Sequence, residues 1–485
     1  MPHDTTLIAT IASAFGLAML LGLAAARLKL PPLVGYLLAG VVVSPFTPGY
    51  VADVKLASQL AEIGVMLLMF GVGLHFSVKD LLAVRHIAVP GAFLQMGVAT
   101  GLGAGVGALW GWPWAEAFML GLCLSVASTV VLLRALESRG MLQTSSGQIA
   151  VGWLVVEDLV MVLALVLLPV VAGSVLPAAG SSAATAPAPA SHGMAWHLGM
   201  TLLKVAGFVA LMWLVGRRLL PKVLWWVAGT GSQELFRLAV VAIAIGVAFG
   251  AAQLFSVSFA LGAFFAGMMM RESEFAHRAA DESLPLRDAF AVLFFVSVGM
   301  LFDPAVLWNE PLKLLTVVAI VMLGKTLAAV ALVLLFRYPL NSALTVGVSL
   351  AQVGEFSFIL AGLGGSLGLM SPLAQSLVLA AALISIAFNP ALFSLAETAR
   401  HWLLAHTRWA RALDARHHPL EALPAEVQIQ PIARAVVVVG VGSVGRPLVD
   451  GLKAASRAVI AVDLSRERVE ALRAEHVLAV CGNAA

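Results

Sequence analysis

The sequence predicts an all-α polytopic membrane protein of about thirteen transmembrane helices in an inverted repeat, followed by a partial α/β domain of Rossmann type. Three observations carry this. The 485-residue chain is 61% hydrophobic and 11% charged, with a mean hydropathy of +0.98, whereas soluble domains carry about 25% charged residues. Apolar runs long enough to cross a bilayer follow one another up to 396 and then stop. Glycine-bearing segments recur at a single spacing. An ordinary soluble enzyme and a disordered chain are excluded by this composition. The two cysteines, Cys123 and Cys481, exclude a disulfide scaffold.

A span needs roughly 20 apolar residues. Such runs lie near 5–26, 31–47, 54–76, 85–110, 114–136, 147–172, 198–220, 233–254, 256–270, 286–302, 311–336, 341–368 and 372–396. The first is too long for the apolar core of a cleaved leader, and its basic residues follow it. Lys and Arg mark cytoplasmic loops, and alternate loops hold Arg27 and Lys29, Lys79 and Arg85, Arg134 and Arg139. The same side then holds Arg217, Arg218 and Lys222, Arg271, Arg278 and Arg287, and Arg337, while the opposite loops offer little beyond Lys55 and Lys313. That pattern places the amino terminus outside and the tail in the cytoplasm. The stretch 178–191, rich in Ala, Pro and Ser, reads as an uncharged outer linker.

Residues 400–485 hold 19 of the 55 charged residues, a soluble composition. The expected division is a transmembrane domain over 1–399, a linker over 400–432 that includes His417 and His418, and a small domain over 433–485. A net charge of +3 is too small and too scattered for a nucleic-acid partner.

Three pairs of segments share one offset. Val34–Gly40 echoes Leu261–Gly267, Phe70–Phe76 echoes Val296–Phe302, and Gly121–Thr129 aligns with Gly347–Glu355. Gly40 and Gly267 are 227 positions apart, and Gly73 with Gly299 and Gly121 with Gly347 are 226 apart. Seven spans separate the copies, an odd number, so the second copy enters the membrane from the opposite side. Inverted repeats of this kind place a substrate site at the midplane where they meet.

Charged residues at lipid depth are expensive, about 2.5–3.5 kcal/mol each on insertion scales. Glu157 and Asp158 fall in the middle of the sixth span, Lys325 in the eleventh and Glu355 in the twelfth, while Glu62 in the third reads as a span-end residue. Two neighbouring carboxylates face one cavity about 100° apart on a helix and repel each other there. Such a site takes up positive charge, as a proton or as a metal cation. Lys325 is the natural counter-charge. The hydroxyls of Ser125, Ser128 and Thr129 either ligate a cation or bond back to helix carbonyls. Gln352 and Glu355, their repeat counterparts, either line the path or hold crossing helices together. The mixed charges of Arg271–Glu282 read as a solvated cytoplasmic helix.

In the tail, Ala435–Val439 reads as a strand running into Gly440-Val-Gly-Ser-Val-Gly445, and Ala458–Asp463 as a second strand ending in an acid. Gly440 suits the tight turn, Gly442 close approach of a pyrophosphate, and Gly445 packing of helix on strand. Ser443 and Val444 open the helix whose amino terminus would receive phosphate. Asp463 stands where an acid would take a ribose hydroxyl. A third strand is expected over His476–Val480, so the segment amounts to half of a doubly wound sheet.

Taken together, Val34–Gly40, Ala127–Thr129, Glu157–Asp158, Phe294–Met300, Gly324–Lys325 and Gln352–Phe356 resemble the Kef-type branch of the monovalent cation/proton antiporters, and most of all its YbaL-like members. The resemblance covers nearly the whole chain. It implies a sodium/proton exchanger-like fold in which a core domain moves against a dimerisation domain, and hence a homodimer in the inner membrane. It also implies that Asp158 carries ion and proton, with Lys325 as its basic partner. The tail resembles the RCK/KTN (TrkA-N) regulators, implying control by a nucleotide such as NAD(H) or AMP. Glu157 departs from the Gln that Kef systems often carry there. The expected function is therefore secondary antiport of a monovalent cation, potassium by preference, against protons, and not catalysis. A nucleotide-gated potassium channel is the alternative, but it would need a carbonyl filter such as T-V-G-Y-G, which the sequence lacks. A membrane dehydrogenase would need a substrate domain and a catalytic His near the glycine loop, and neither is present.

Overall fold

The computed structural model describes residues 6–75, 78–142, 144–175, 194–255, 257–271, 273, 275–414, 435–455, 457–463 and 466–482. The expected outer linker 178–191, and His417 with His418, lie outside the described residues.

Every apolar run coincides with a helix or a broken helix. The first four spans are Thr6–Arg27, Pro32–Val42, Val54–His75 and Val78–Leu109. The fifth is split into Trp114–Leu124 and Thr129–Glu137, and the sixth is Ser145–Val175. The seventh runs from Met194 to Ala228 through a widened π-helical turn at Met212–Gly216, and Gln233–Phe255, Phe259–Arg271 and Ala276–Met300 follow. A second π-turn, Ile320–Lys325, divides the eleventh span into Pro311–Ala319 and Thr326–Leu335. The twelfth is split into Leu340–Ser349 and Glu355–Ser366, and the last is Pro372–His406. Among the described residues nine helices are long and apolar enough to cross a membrane unaided, the split fifth span counted as one. The second and ninth spans are shorter.

Local sequence explains the starts and breaks. Pro32, Pro311 and Pro372 occupy the first helical turn, where a missing N–H costs nothing. Ser371 caps the last span by accepting from Ala374 N at 3.2 Å. Ser128 caps the second half of the fifth span through Val131 N.

The helices pack in two groups. Spans one to three pack with eight to ten, and spans four to six with eleven to thirteen, so each group takes three helices from each repeat. The repeat is visible in the crossings. A Cβ on Gly40 would lie 2.0 Å from Val296 O and one on Gly299 2.1 Å from Leu37 O, so the second span crosses the tenth backbone to backbone. A Cβ on Gly267 would lie 2.1 Å from Phe70 O and one on Gly73 2.2 Å from Phe264 O, which is the same crossing made by the ninth span on the third. The offset read from the sequence converts one crossing into the other.

Two expectations shift. Glu62 lies within Val54–His75 rather than at its end, and its side chain is exposed on the outside of the bundle. The segment expected to begin a linker is helical: the last span continues to His406, and a short helix, Arg408–Asp414, follows. Asp414 accepts from Arg400 Nη2 at 2.6 Å and from Asn341 N at 3.1 Å, so it caps the start of the twelfth span. The mixed-charge segment is partly paired inside the molecule, Glu282 with Arg237, and Arg278 lies over the ring of Phe236 at 4.3 Å.

The tail forms three parallel strands, β1 (Val436–Val439), β2 (Val459–Asp463) and β3 (Leu478–Cys481), in the order β1-β2-β3. Helices Gly445–Ala454 and Arg466–Ala474 connect them over a core of Val449, Ala461, Val469, Leu472 and Ala479. The third strand starts later than expected because His476 takes a left-handed conformation (φ 61) in the turn before it.

Candidate functional site

The two split helices meet at their breaks. Gly354 N donates to Val126 O at 3.1 Å, and a Cβ on Gly354 would lie 2.2 Å from Ala127 O. Unwound backbone inside a bundle must find partners there, since lipid offers none, and side chains from five spans supply them. Glu157 Oε2 accepts from Ala127 N at 2.9 Å, and Lys325 Nζ donates to Gln352 O at 3.0 Å. Gln352 Nε2 reaches Ser128 O at 3.4 Å and Ser349 O at 3.1 Å. Gln95 Nε2 donates to Ser125 O at 3.2 Å, Ser385 Oγ accepts from Val353 N at 3.3 Å, and Asn389 Nδ2 donates to Val348 O at 3.0 Å.

The expected site residues therefore converge. Thr129 Oγ1 donates to Asp158 Oδ2 and Ser128 Oγ to Glu355 Oε2, both at 2.9 Å, so adjacent hydroxyls on one half-helix tie a carboxylate from each repeat. Asp158, Glu157, Lys325, Gln352, Glu355 and Ser128 are all at most 5% exposed. Ser125 bonds back to its own helix through Leu122 O at 2.7 Å, the bland outcome for that hydroxyl. Lys325, aimed inward by the π-turn that it ends, is the charged neighbour of Glu157, whereas the charged neighbours of Asp158 are Glu355 and Glu157.

Each carboxylate keeps one oxygen unused. Glu157 Oε1, Asp158 Oδ1, Glu355 Oε1 and Gln352 Oε1 are buried without a hydrogen-bond partner. Three carboxylates are buried around the crossing and the one ammonium stands beside Glu157, so burial leaves negative charge to be met by protons or by a cation. Among the described residues no group of three or more His, Cys, Asp and Glu side chains forms a chelating metal site. Gln95, Trp153, Ser385 and Asn389 escaped the sequence reading. Their signal was the one that exposed the charges, a polar group inside an apolar run, but neutral side chains give it weakly.

In the tail, Gly440 adopts φ +80, which a side chain would strain. A Cβ on Gly445 would lie 1.9 Å from Gly440 O. Beside Gly442 such an atom meets only Arg468 Nη1, at 3.4 Å, and Ser443 and Val444 are exposed at the start of Gly445–Ala454. An open, glycine-lined turn ahead of a ten-residue helix fits a phosphate-bearing ligand. Asp463 stands at the end of β2. Its Oδ2 accepts from Val441 N at 2.6 Å and lies 3.4 Å from Arg468 Nη1, so the acid also braces the glycine turn.

Comparison with known proteins agrees with this architecture. Residues 12–395 match the family described as sodium/hydrogen exchanger, transmembrane, and residues 436–485 match the TrkA-N domain. YbaL of Escherichia coli (strain K12), named as a cation/proton antiporter, is 54% identical over 486 aligned residues, covering 100% of this chain and 84% of that protein. K(+) efflux antiporter 4 of Arabidopsis thaliana is 33% identical over 78% of this chain and 62% of its own length. The sodium proton antiporter MjNhaP1 from Methanocaldococcus jannaschii superposes over 81% of this chain and 98% of its own with a TM-score of 0.55 at 15% identity, a likeness of fold.

Proposed function

The chain belongs to the sodium/hydrogen exchanger family of cation/proton antiporters, and from that premise we propose that it exchanges potassium for protons across the bacterial inner membrane by alternating access. The observation that carries this reading is the crossing of two interrupted helices, where Asp158 and Glu355 arrive from opposite repeats and each leaves an oxygen unpartnered.

Asp158 is the carrier in this scheme. Its Oδ2 is held by Thr129, and Oδ1 takes either a proton or the cation. Glu157, tied to the Ala127 amide and next to Lys325, holds the unwound segment and balances the ammonium. Ser128, Gln352 and Glu355 complete the lining. The group formed by spans four to six and eleven to thirteen carries this centre past the other group, through which two copies associate as a homodimer. The amino terminus lies outside and the tail inside, in line with the basic loops. Voltage is worth about 2.3 kcal/mol per charge per 100 mV, so the number of protons exchanged per cation sets whether the membrane potential drives the cycle.

A nucleotide of the NAD(H) or AMP type would lie on Gly440, Gly442, Ser443, Val444 and Gly445, with its ribose at Asp463. It would supply no bond chemistry, only a bias between transport states.

The test is exchange in proteoliposomes with potassium and sodium in parallel, with and without NADH or AMP. Asp158→Asn abolishes cation-dependent proton movement while the protein remains folded. Undiminished exchange by that variant rejects the assignment of the site.

A further inference from the structure

The 226-residue offset that relates Gly121 to Gly347 carries Lys325 back onto Ala99, one helical turn from Gln95. Gln95 is wholly buried in the fourth span, and its Nε2 donates to Ser125 O, the carbonyl just past the half-helix Trp114–Leu124. Lys325 donates to Gln352 O just past the matching half-helix Leu340–Ser349. Each side chain thus fills the carbonyl end of the interrupted helix in its own repeat. One does so with a charge and the other without. An unfilled helix carboxyl end in a dry interior carries about half a negative charge, so both ends need a donor.

Gln95 does more than fill that end. Its Oε1 accepts from Trp153 Nε1 at 3.4 Å, and Trp153, also wholly buried, stands one turn before Glu157 on the same face of the sixth span. Glu157 in turn accepts from Ala127 N, two residues beyond Ser125. Gln95 and Glu157 therefore grip the unwound segment from either end, and Thr129, the hydrogen-bond donor to Asp158, follows directly. A leucine at 95 would suit the apolar surroundings better, and nothing in helix formation asks for an amide there.

We infer that Gln95 is a positioning residue of the exchange site: the uncharged counterpart of Lys325, holding the fifth span at its break and, through Trp153, fixing where Glu157 stands. This rests on the antiport reading above.

The experiment compares wild type, Gln95→Met, Trp153→Phe and the double variant as full-length chains in proteoliposomes, reading cation KM, maximal rate and the pH profile of exchange. Size-exclusion profile and thermal unfolding in detergent serve as the fold check. Methionine keeps the volume and removes both hydrogen bonds. Gln95→Met should raise the cation KM about tenfold, the equivalent of about 1.4 kcal/mol and within the range for a buried group left unpaired, and should displace the pH profile with little change in maximal rate. Trp153→Phe should move KM in the same direction, and the double variant should match Gln95→Met alone, because both break one chain of contacts. A folded Gln95→Met with wild-type KM and pH profile overturns the inference, as does a double variant whose effect is the product of the two singles. If Gln95→Met does not fold, an unchanged KM in Trp153→Phe overturns the link to Glu157. A wild-type protein that moves no protons with cation removes the antiport reading itself, a separate outcome from an active wild type that is indifferent to Gln95.

Discussion

Gly354→Ala is the sharpest perturbation of the crossing, because the added atom meets only backbone. Its Cβ would stand 2.2 Å from Ala127 O, 2.6 Å from Ala127 C and 2.8 Å from Ser128 N. An ordinary carbon–oxygen contact needs about 3.2 Å or more, so the two breaks must separate by about 1 Å. No side chain can swing away to absorb that. The backbone of Gly354 (φ −101, ψ 176) is one that alanine accepts, so the cost comes from crowding rather than torsional strain, about 1–3 kcal/mol for an overpacked core. Separation stretches the bonds that cross the break, Gly354 N to Val126 O, Gln352 Nε2 to Ser128 O and Ser128 Oγ to Glu355. A displacement of about 1 Å in an active constellation commonly costs about 100-fold in rate. Exchange by Gly354→Ala should therefore fall by about 100-fold in proteoliposomes, measured as cation-driven proton flux. Gly362→Ala on the same span, where an added Cβ meets nothing within 4 Å, should exchange at the wild-type rate. Wild-type flux from Gly354→Ala would refute the reasoning, since the crossing would then not need its present closeness.

Lys325→Met keeps the length of the side chain but strips Gln352 O and Glu157 of their cation. Breaking a buried charge pairing costs about 3–5 kcal/mol, so thermal unfolding in detergent should move sharply downward, and an unshifted transition would show that the ammonium neutralises nothing there. Gly445→Ala drives a Cβ to within 1.9 Å of Gly440 O, so calorimetric binding of NADH or AMP by the purified full chain should disappear while exchange without nucleotide persists. Asp414→Ala removes a cap from the twelfth span, worth about 0.5–2 kcal/mol, whereas Asp414→Asn keeps an acceptor for Asn341 N and should recover most of that. Equal losses in the two variants would assign the effect to the Arg400 pairing instead.

Span positions, the repeat and the glycine turn were legible because each is a one-dimensional signal: run length, a fixed offset and a short motif between strands. Glu157, Asp158, Lys325 and Glu355 were legible as candidate site residues for a thermodynamic reason, since a charge at lipid depth persists only with a partner or a task. Their pairings were not. Lys325 could be read as a counter-charge, but whether it served Glu157 or Asp158 depends on which faces of the sixth and eleventh spans turn inward, and the π-turn at Ile320–Lys325 rotates that face away from a regular helix. Gln95, Ser385 and Asn389 were missed because a neutral amide or hydroxyl in an apolar run is cheap enough to be incidental.

The chain alone thus determined that there are helices of bilayer length, that they come in two copies, and that titratable groups lie among them, because composition and periodicity are properties of consecutive residues. Only the tertiary structure decided that the fifth and twelfth spans break where they do and meet there, with Ser128 and Thr129 handing one hydroxyl to each of two carboxylates from different repeats. Contacts between residues more than 220 positions apart follow from how helix faces pack around unsatisfied backbone, and no local pattern records that geometry.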